Sequence, residues 1–372
     1  MSLQRCWGRF FGIATISSSS ASFHACDGDE AMRWLVTGGC GFIGRNLIRL
    51  LLTRSNVVRV LDNLSIGTRE DLADIGAFTQ LDRRIFATGY ARSASSPTME
   101  LVAGDVCDAD LLQHAAEGMD VLVHLAANTG VGPSIADPRL DCITNVIGTF
   151  NCLEACRRGG VRRFVFASSG APIGNCEPPI HEELPPHPVS PYGASKLAGE
   201  AYCSAYKHSF GIDTVALRFG NCYGPFSTHK GSVVAKFIRE AVAGQPWEIY
   251  GDGGQTRDFI FVEDVAEAIL LAGTVDGVGG ETFQIATSAE TTVLELARKL
   301  EDILRRNGVT PAGIHYSNPR VGDVIRNYSD TSKARRMLGW SARLTLEDGL
   351  DRTVGWFLRQ LKVRPDPRDR IA

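Results

Sequence analysis

Trp34-Leu-Val-Thr37-Gly-Gly-Cys-Gly-Phe-Ile-Gly44 joins a short apolar run to a glycine-rich turn. Trp34–Val36 reads as a buried strand. After the turn Phe42, Ile43, Leu47, Ile48, Leu51 and Leu52 recur at helical spacing. The turn satisfies Gly-x-Gly-x-x-Gly at Gly39, Gly41 and Gly44, and Gly-x-x-Gly-x-x-Gly at Gly38, Gly41 and Gly44. A side chain there would keep a pyrophosphate from the backbone amides at the helix start, and the last glycine lets helix and strand pack closely. Glycine patterns are common in sequences. The place of this one, between a strand and a helix, is what points to a dinucleotide.

Working outward, Val57-Val-Arg-Val-Leu61 is a second strand ending in Asp62-Asn63, eighteen residues past Gly44. An acid at that tip can hydrogen-bond the adenosine ribose and repels a 2′-phosphate, which favours NAD over NADP. The alternative for Asp62 is a helix-capping role. Leu101-Val-Ala-Gly-Asp105-Val106 ends in an acid positioned for the adenine, and Val121–Ala127 is an apolar strand with a small-residue end. His124 precedes that strand's tip and reads as a satisfied core histidine. Arg163–Ser169 brings hydroxyls to a further tip.

Strands alternating with helices predict a Rossmann-type, doubly wound parallel sheet of the α/β class, with ligands at the carboxyl ends of the strands. The predicted organisation is a leader over 1–31, an NAD-binding domain over 32–219 and a smaller C-terminal substrate-binding α/β domain over 220–372. A segment near 258–275 returns to the first domain. Between Asp71 and Thr98 the periodicity breaks, and an insertion loop is expected near 75–98. In the second half Ser232–Ala243 and Val293–Ile303 have helical apolar faces, and Trp247–Tyr250 reads as a strand.

Composition narrows the classes. The 372 residues carry a net charge of −3 and are 44% hydrophobic, enough for a large core and without the basic footprint of a nucleic-acid or anionic-membrane partner. No apolar run approaches the ~20 residues that span a bilayer. The ten cysteines are scattered with no Cys-x-x-Cys. Cys152 and Cys156 read as packing rather than metal ligands, and a reducing cytoplasm is the expected compartment. His181-Glu-Glu183 lies among prolines without the helical spacing of a zinc motif, so it reads as loop surface and no metal is expected. Residues 1–31 hold Arg5, Arg9, Ser17–Ser20 and no acid before Asp27. A transit peptide has this composition, but Met32 directly opens the first strand, so an untargeted or non-native leader is expected.

In Ser190-Pro-Tyr192-Gly-Ala-Ser-Lys196 the tyrosine and lysine fall one turn apart on one helix face. A free phenol has a pKa near ~10 and is a poor base at neutral pH. A neighbouring ammonium favours the phenolate and lowers that value by roughly 1–3 units. Downstream of a nucleotide-binding turn, the pair reads as a proton-transfer centre.

Together these motifs resemble the extended short-chain dehydrogenase/reductase family, in particular its nucleotide-sugar epimerases of the UDP-glucose 4-epimerase kind. Further motifs carrying the likeness are His124-Leu-Ala-Ala127, Asn145-Val-Ile-Gly-Thr149, Leu217–Pro225, Gly251–Asp258 and Arg320-Val-Gly-Asp323. The resemblance implies a catalytic triad of Ser169, Tyr192 and Lys196, with Asn145 supporting the lysine. It implies NAD held by Gly38, Gly41, Phe42, Ile43, Gly44, Asp62, Asn63, Asp105, Val106, Leu125, Ala126, Ala127, Asn145, Tyr192, Lys196 and Phe219. For a nucleotide-diphosphate sugar it implies Ser169, Asn221, the diphosphate-binding pair Arg257 and Arg320, and Asp323 on the uridine ribose. It also implies a homodimer formed through helices near Asn145–Cys156 and Tyr192–Tyr206.

Epimerase, dehydratase, decarboxylase and reductase share this scaffold, as does a non-catalytic NAD-binding regulator. In each enzyme Tyr192 would remove a hydroxyl proton while hydride leaves the sugar carbon for NAD. In the family, 4,6-dehydratases carry Asp-Glu directly after the active-site Ser/Thr, and decarboxylases carry a glutamate there. In this chain Gly170 and Ala171 stand there, which can do no proton chemistry. The expectation is therefore an NAD-dependent UDP-hexose 4-epimerase, working through a transient 4-keto sugar and enzyme-bound NADH. Asn327 matches the family position that limits whether an N-acetyl group fits, and leaves acetylated and plain hexoses both open.

Overall fold

A computed structural model describes residues 31–87, 90, 97–319 and 324–363. The leader expected over 1–31, save Ala31, lies outside the described residues. So do Arg320 and Asp323.

Strands β1 (Arg33–Thr37), β2 (Val57–Asp62), β3 (Thr79–Leu81), β4 (Met99–Ala103), β5 (Val121–His124), β6 (Arg163–Ser169) and β7 (Asp213–Phe219) join Thr282–Ile285 in one eight-stranded sheet. The order is Thr282–Ile285, β7, β6, β5, β1, β2, β4, β3, and every neighbouring pair is parallel. The chain starts in the middle at β1, winds out to one edge, then crosses back to β5 and winds to the other. A crevice forms at that reversal, between β1 and β5.

Alternation within β1 explains the layers. Trp34 and Val36 point to one face, where Leu47, Ile48 and Leu51 of helix Phe42–Thr53 meet Val265, Ile269 and Ala272 of helix Val262–Thr274. Leu35 points to the other, with Leu112, Leu153, Phe164, Phe166 and Tyr206. Cys152, Cys156 and Cys203 are buried in that second layer. Both faces are covered, which is why β2 is buried along its whole length.

A third core lies in the C-terminal half. Phe237 stacks on Trp247 at 4.9 Å, and both pack with Leu296, Leu300 and Phe357. Short strand pairs support it: Trp247–Tyr250 runs parallel to Ile314–Ser317, and Phe259–Phe261 runs parallel to Asn221–Tyr223.

Two features differ from the sequence expectation. The segment read as an insertion loop contributes β3 at the sheet edge, then helix Arg83–Ala87. Leu81 and Phe86 anchor it, and the Tyr90 hydroxyl donates to Glu100, which is paired with Arg59 at 2.8 Å. A three-residue strand is too short to show a period. The return to the first sheet also extends past 275, because Thr282–Ile285 is its outermost strand beside β7.

Candidate active site

Parallel register brings the predicted residues to one edge of the sheet. Thr37 pairs with Leu61 and His124, Asp62 with Ala103, and Ser169 with Phe219. Gly38, Asp62, Asn63, Asp105, Val106, Leu125, Ala126, Ala127, Ser169, Phe219 and Asn221 therefore sit at or just past strand ends along that edge. The turn between β1 and its helix is closed tightly. Gly38 has φ +68°, and a Cβ on it would lie 2.7 Å from Ala126 N. One on Gly44 would lie 2.6 Å from Gly38 O, so glycine is required at both. No side chain caps helix Phe42–Thr53, which leaves the first-turn amides around Phe42, Ile43 and Gly44 for an outside acceptor.

Asp62 caps neither neighbouring helix but braces the turn beside it. Its carboxylate accepts from Cys40 N at 2.9 Å and Leu64 N at 2.8 Å, fixing the turn. Burial raises its pKa and those two amides oppose the rise. Each oxygen keeps a lone pair for a further donor. Asn63 Nδ2 donates to Asp105 at 2.8 Å. Burial works upward on the Asp105 carboxyl, but the bonds from Cys107 and Asn63 outweigh it and hold it low.

Ser190 caps helix Pro191–Phe210 by accepting from Gly193 N at 3.1 Å, with proline in the first turn. Tyr192, Lys196 and Glu200 then follow at four-residue spacing on one face. The Ser169 hydroxyl stands on the Tyr192 phenol's side and favours its ionised form. Lys196 Nζ lies 5.9 Å from the Tyr192 ring centre and donates to Ala167 O at 2.8 Å. Burial pushes the phenol up to about 12, with the Ser169 hydroxyl opposing and the charge of Asp141 adding. Burial brings the Lys196 ammonium down to about 8, against the charges of Asp141 and Glu200. The expected lowering of the phenol by Lys196 is thus outweighed here, since the ammonium turns to a carbonyl and the phenol is desolvated.

Asn145 lies in a π-helical turn, Ile143–Ile147, a widening often found at functional sites. Its amide donates to Asn128 O at 3.0 Å, Asp141 at 2.8 Å and Ser195 Oγ at 3.1 Å, and accepts from Asn128 N at 2.8 Å. His124 is the satisfied core histidine expected. It bridges Thr37 Oγ1 at 2.7 Å and Thr149 Oγ1 at 3.0 Å, and burial with the Lys196 charge holds its pKa to about 3.

On the other wall, Asn221 N donates to Asp258 O at 2.8 Å. Asp258 gathers the backbone amides of Thr287, Ser288 and Ser329. Arg257 Nη1 donates to Val324 O at 2.7 Å, so its side chain reaches the residue that follows the Arg320–Asp323 motif. Asn327 N donates to Thr256 Oγ1 beside it. Gly170 faces open space, and Ala171 N donates to Ser169 Oγ at 3.2 Å. Glu182 is more than loop surface, for it accepts from Gln284 N at 2.7 Å and ties its loop to the outermost strand.

Two groups went unread in the sequence. Glu200 accepts both Nε and Nη2 of Arg218, at 2.8 and 2.7 Å, and a bond from Ser168 at 2.5 Å, all buried beneath the tip of β6. An arginine inside the apolar run Val215–Phe219 was its signal. Asp141 is the other, four residues before Asn145 and 1% exposed.

The sequence profile described as the NAD dependent epimerase/dehydratase family matches residues 34–286. The chain belongs to that family. A UDP-glucose 4-epimerase of Mycolicibacterium smegmatis is 37% identical over 88% of this chain and 98% of its own length. A dTDP-glucose 4,6-dehydratase of Streptomyces niveus is 35% identical over 88% and 93%. The structure of a UDP-glucose 4-epimerase from Thermus thermophilus in complex with NAD superposes with a TM-score of 0.74 at 34% identity, covering 88% of this chain and 99% of that one.

The cofactor of this epimerase/dehydratase is NAD, and the residues present fit it. The uncapped helix start offers donors for a pyrophosphate, and a Cβ at Gly41 would meet only Gly38 O, at 3.2 Å, so that side is open to an approaching group. Asp62 brings a carboxylate to the β2 tip. No helix among the described residues is long and apolar enough to cross a membrane.

Proposed function

We propose that this protein is a UDP-hexose 4-epimerase. The observation that carries the reading is the Ser169–Tyr192–Lys196 constellation standing next to Gly170 and Ala171, two positions without proton chemistry. The relative from Mycolicibacterium smegmatis supports it.

When bound, NAD supplies a reversible hydride acceptor, and Gly38, Gly41, Phe42, Ile43, Gly44, Asp62, Asn63, Asp105, Val106, Leu125–Ala127, Asn145 and Phe219 are the residues proposed to hold it. Tyr192 takes the proton of the sugar 4-hydroxyl and returns it after the ring has turned over in the cleft. Ser169 hydrogen-bonds the reacting oxygen, and Lys196 supplies the charge that steadies the phenolate. Asn221 and Arg257, with Arg320 and Asp323 on the resemblance alone, are proposed to hold the nucleotide diphosphate, since arginine forks match phosphate oxygens bidentately. The N-acetyl preference follows the space beside Asn327.

A 4,6-dehydratase is the second reading, because the Streptomyces niveus relative is nearly as similar. Elimination of water needs an acid and a base at the keto sugar, and Gly170 and Ala171 supply neither. Purified protein incubated with UDP-glucose and with dTDP-glucose is expected to give products of unchanged mass. A product lighter by one water would replace the epimerase reading with the dehydratase one.

A homodimer is part of the same proposal. Ile135, Leu140, Ile147 and Phe210 are exposed at 63, 50, 47 and 53% along the helices spanning 131–210. Exposed apolar groups on helices that pack against one another are what an association face would use. Sedimentation equilibrium is expected to give twice the chain mass of 40.3 kDa. A single-chain mass at micromolar concentration would refute the dimer.

A further inference from the structure

We propose that Asp141 is a positioning residue of this site: a buried carboxylate that fixes Asn145 and sets the charge against which the Tyr192–Lys196 pair exchanges its proton. The inference rests on the base role of Tyr192 proposed above.

Geometry places Asp141 for this. It lies in helix Pro138–Cys142, which Asp137 caps through Leu140 N at 2.9 Å and which runs straight into the π-helical turn. Asp141 and Asn145 stand four residues apart, one helical turn, on the side that meets helix Pro191–Phe210. Asp141 Oδ1 accepts from Asn145 Nδ2 at 2.8 Å, and the same amide reaches Ser195, the neighbour of Lys196. Asn145 thereby has one orientation rather than two.

Charge is the second half of the argument. From the helix that carries the pair, Glu200 also faces Lys196, but its carboxylate is bound bidentately by Arg218. Cys203, on the same helix, is a thiol that burial pushes far above its usual range, so it stays neutral. From β5, His124 is held neutral by burial. From β6 come the Ser169 hydroxyl and the Ala167 carbonyl, neither of them charged. Of the carboxylates that act on the pair, Asp141 is the one with no ion-pair partner among the described residues, and its charge acts on both Tyr192 and Lys196. Across a desolvated site such a charge is screened little. It opposes ionisation of the phenol and favours the Lys196 ammonium, so it sets where the proton rests within the pair. A base that must return its proton to the sugar requires that balance.

Asp141→Asn separates the two halves, because an amide oxygen can still accept from Asn145 while the charge is gone. The test is the ultraviolet phenolate titration of NAD-bound protein. Tyr192 is isolated by subtracting the Tyr192→Phe form in each background. The expected result is a Tyr192 transition in Asp141→Asn about one pH unit or more below that of the wild-type protein. The low-pH limb of turnover should move down with it. Coincident transitions, or no Tyr192 transition in Asp141→Asn before the protein unfolds, would overturn the proposal, since a purely structural carboxylate would leave the midpoint unmoved. The titration needs no turnover. A protein that converts no nucleotide sugar yet shows the shift would refute the epimerase reading and leave the role of Asp141 standing.

Discussion

Tyr192→Phe is expected to lower turnover of the nucleotide sugar by ~10²–10⁴-fold, the usual contribution of a positioned general base. The substitution deletes one oxygen from a ring that helix Pro191–Phe210 already holds, and Ser190, Pro191 and Gly193 keep that helix start intact. Binding of NAD should survive, because its proposed donors are backbone amides at the glycine turn and Asp62, none of which depends on the phenol. The two quantities therefore separate: NAD content measured on purified protein stays at the wild-type level while turnover collapses. Near-normal turnover with NAD bound would show that the reacting proton passes through another group.

Glu200→Ala is expected to be the most destabilising single change near the site, at about 3–5 kcal/mol. It strands the Arg218 guanidinium, which is 5% exposed and whose Nη1 already has no hydrogen-bond partner among the described residues. It also frees Ser168 Oγ, the neighbour of Ser169, so the tip of β6 loses one of its ties to the helix that carries Tyr192. Replacing the pair together, Glu200→Leu with Arg218→Met, should recover much of the loss, because no buried charge is left behind. Denaturant unfolding of the two forms measures this. A single variant as stable as the wild-type protein would show that the pair contributes little.

The parts of this protein that were legible in its sequence are those with a period or a forced residue type. The buried run Trp34–Val36, its glycine turn and the helix after it gave the first β-α unit. Strand tips at Asp62, Asp105, Ala127 and Ser169 then fell on one edge because the sheet is parallel throughout. What stayed hidden depends on pairing across long separations. Thr282–Ile285 carries no mark that it lies beside β7 rather than in the C-terminal half. Edge strand β3 has only Leu81 to announce it. Glu200 and Arg218 look like two surface charges until the helix and strand are packed together. Asp141 stands one helical turn before Asn145, a spacing the sequence shows, but its burial against helix Pro191–Phe210 comes from packing across a long separation. The likeness of Tyr192 and Lys196 to a base and its activating charge was readable. The high proton affinity of the buried phenol was not, since burial is a property of the fold.

The most direct test of the central claim is the reaction of UDP-glucose in deuterium oxide, followed by proton NMR and mass spectrometry of the nucleotide sugar. If Tyr192 moves only a hydroxyl proton and no acid or base stands at Gly170 and Ala171, every carbon-bound hydrogen keeps its place. The account predicts UDP-galactose of unchanged mass with no deuterium on carbon. A product that has lost water and carries carbon-bound deuterium would contradict it, because that exchange requires the acid–base pair this chain lacks.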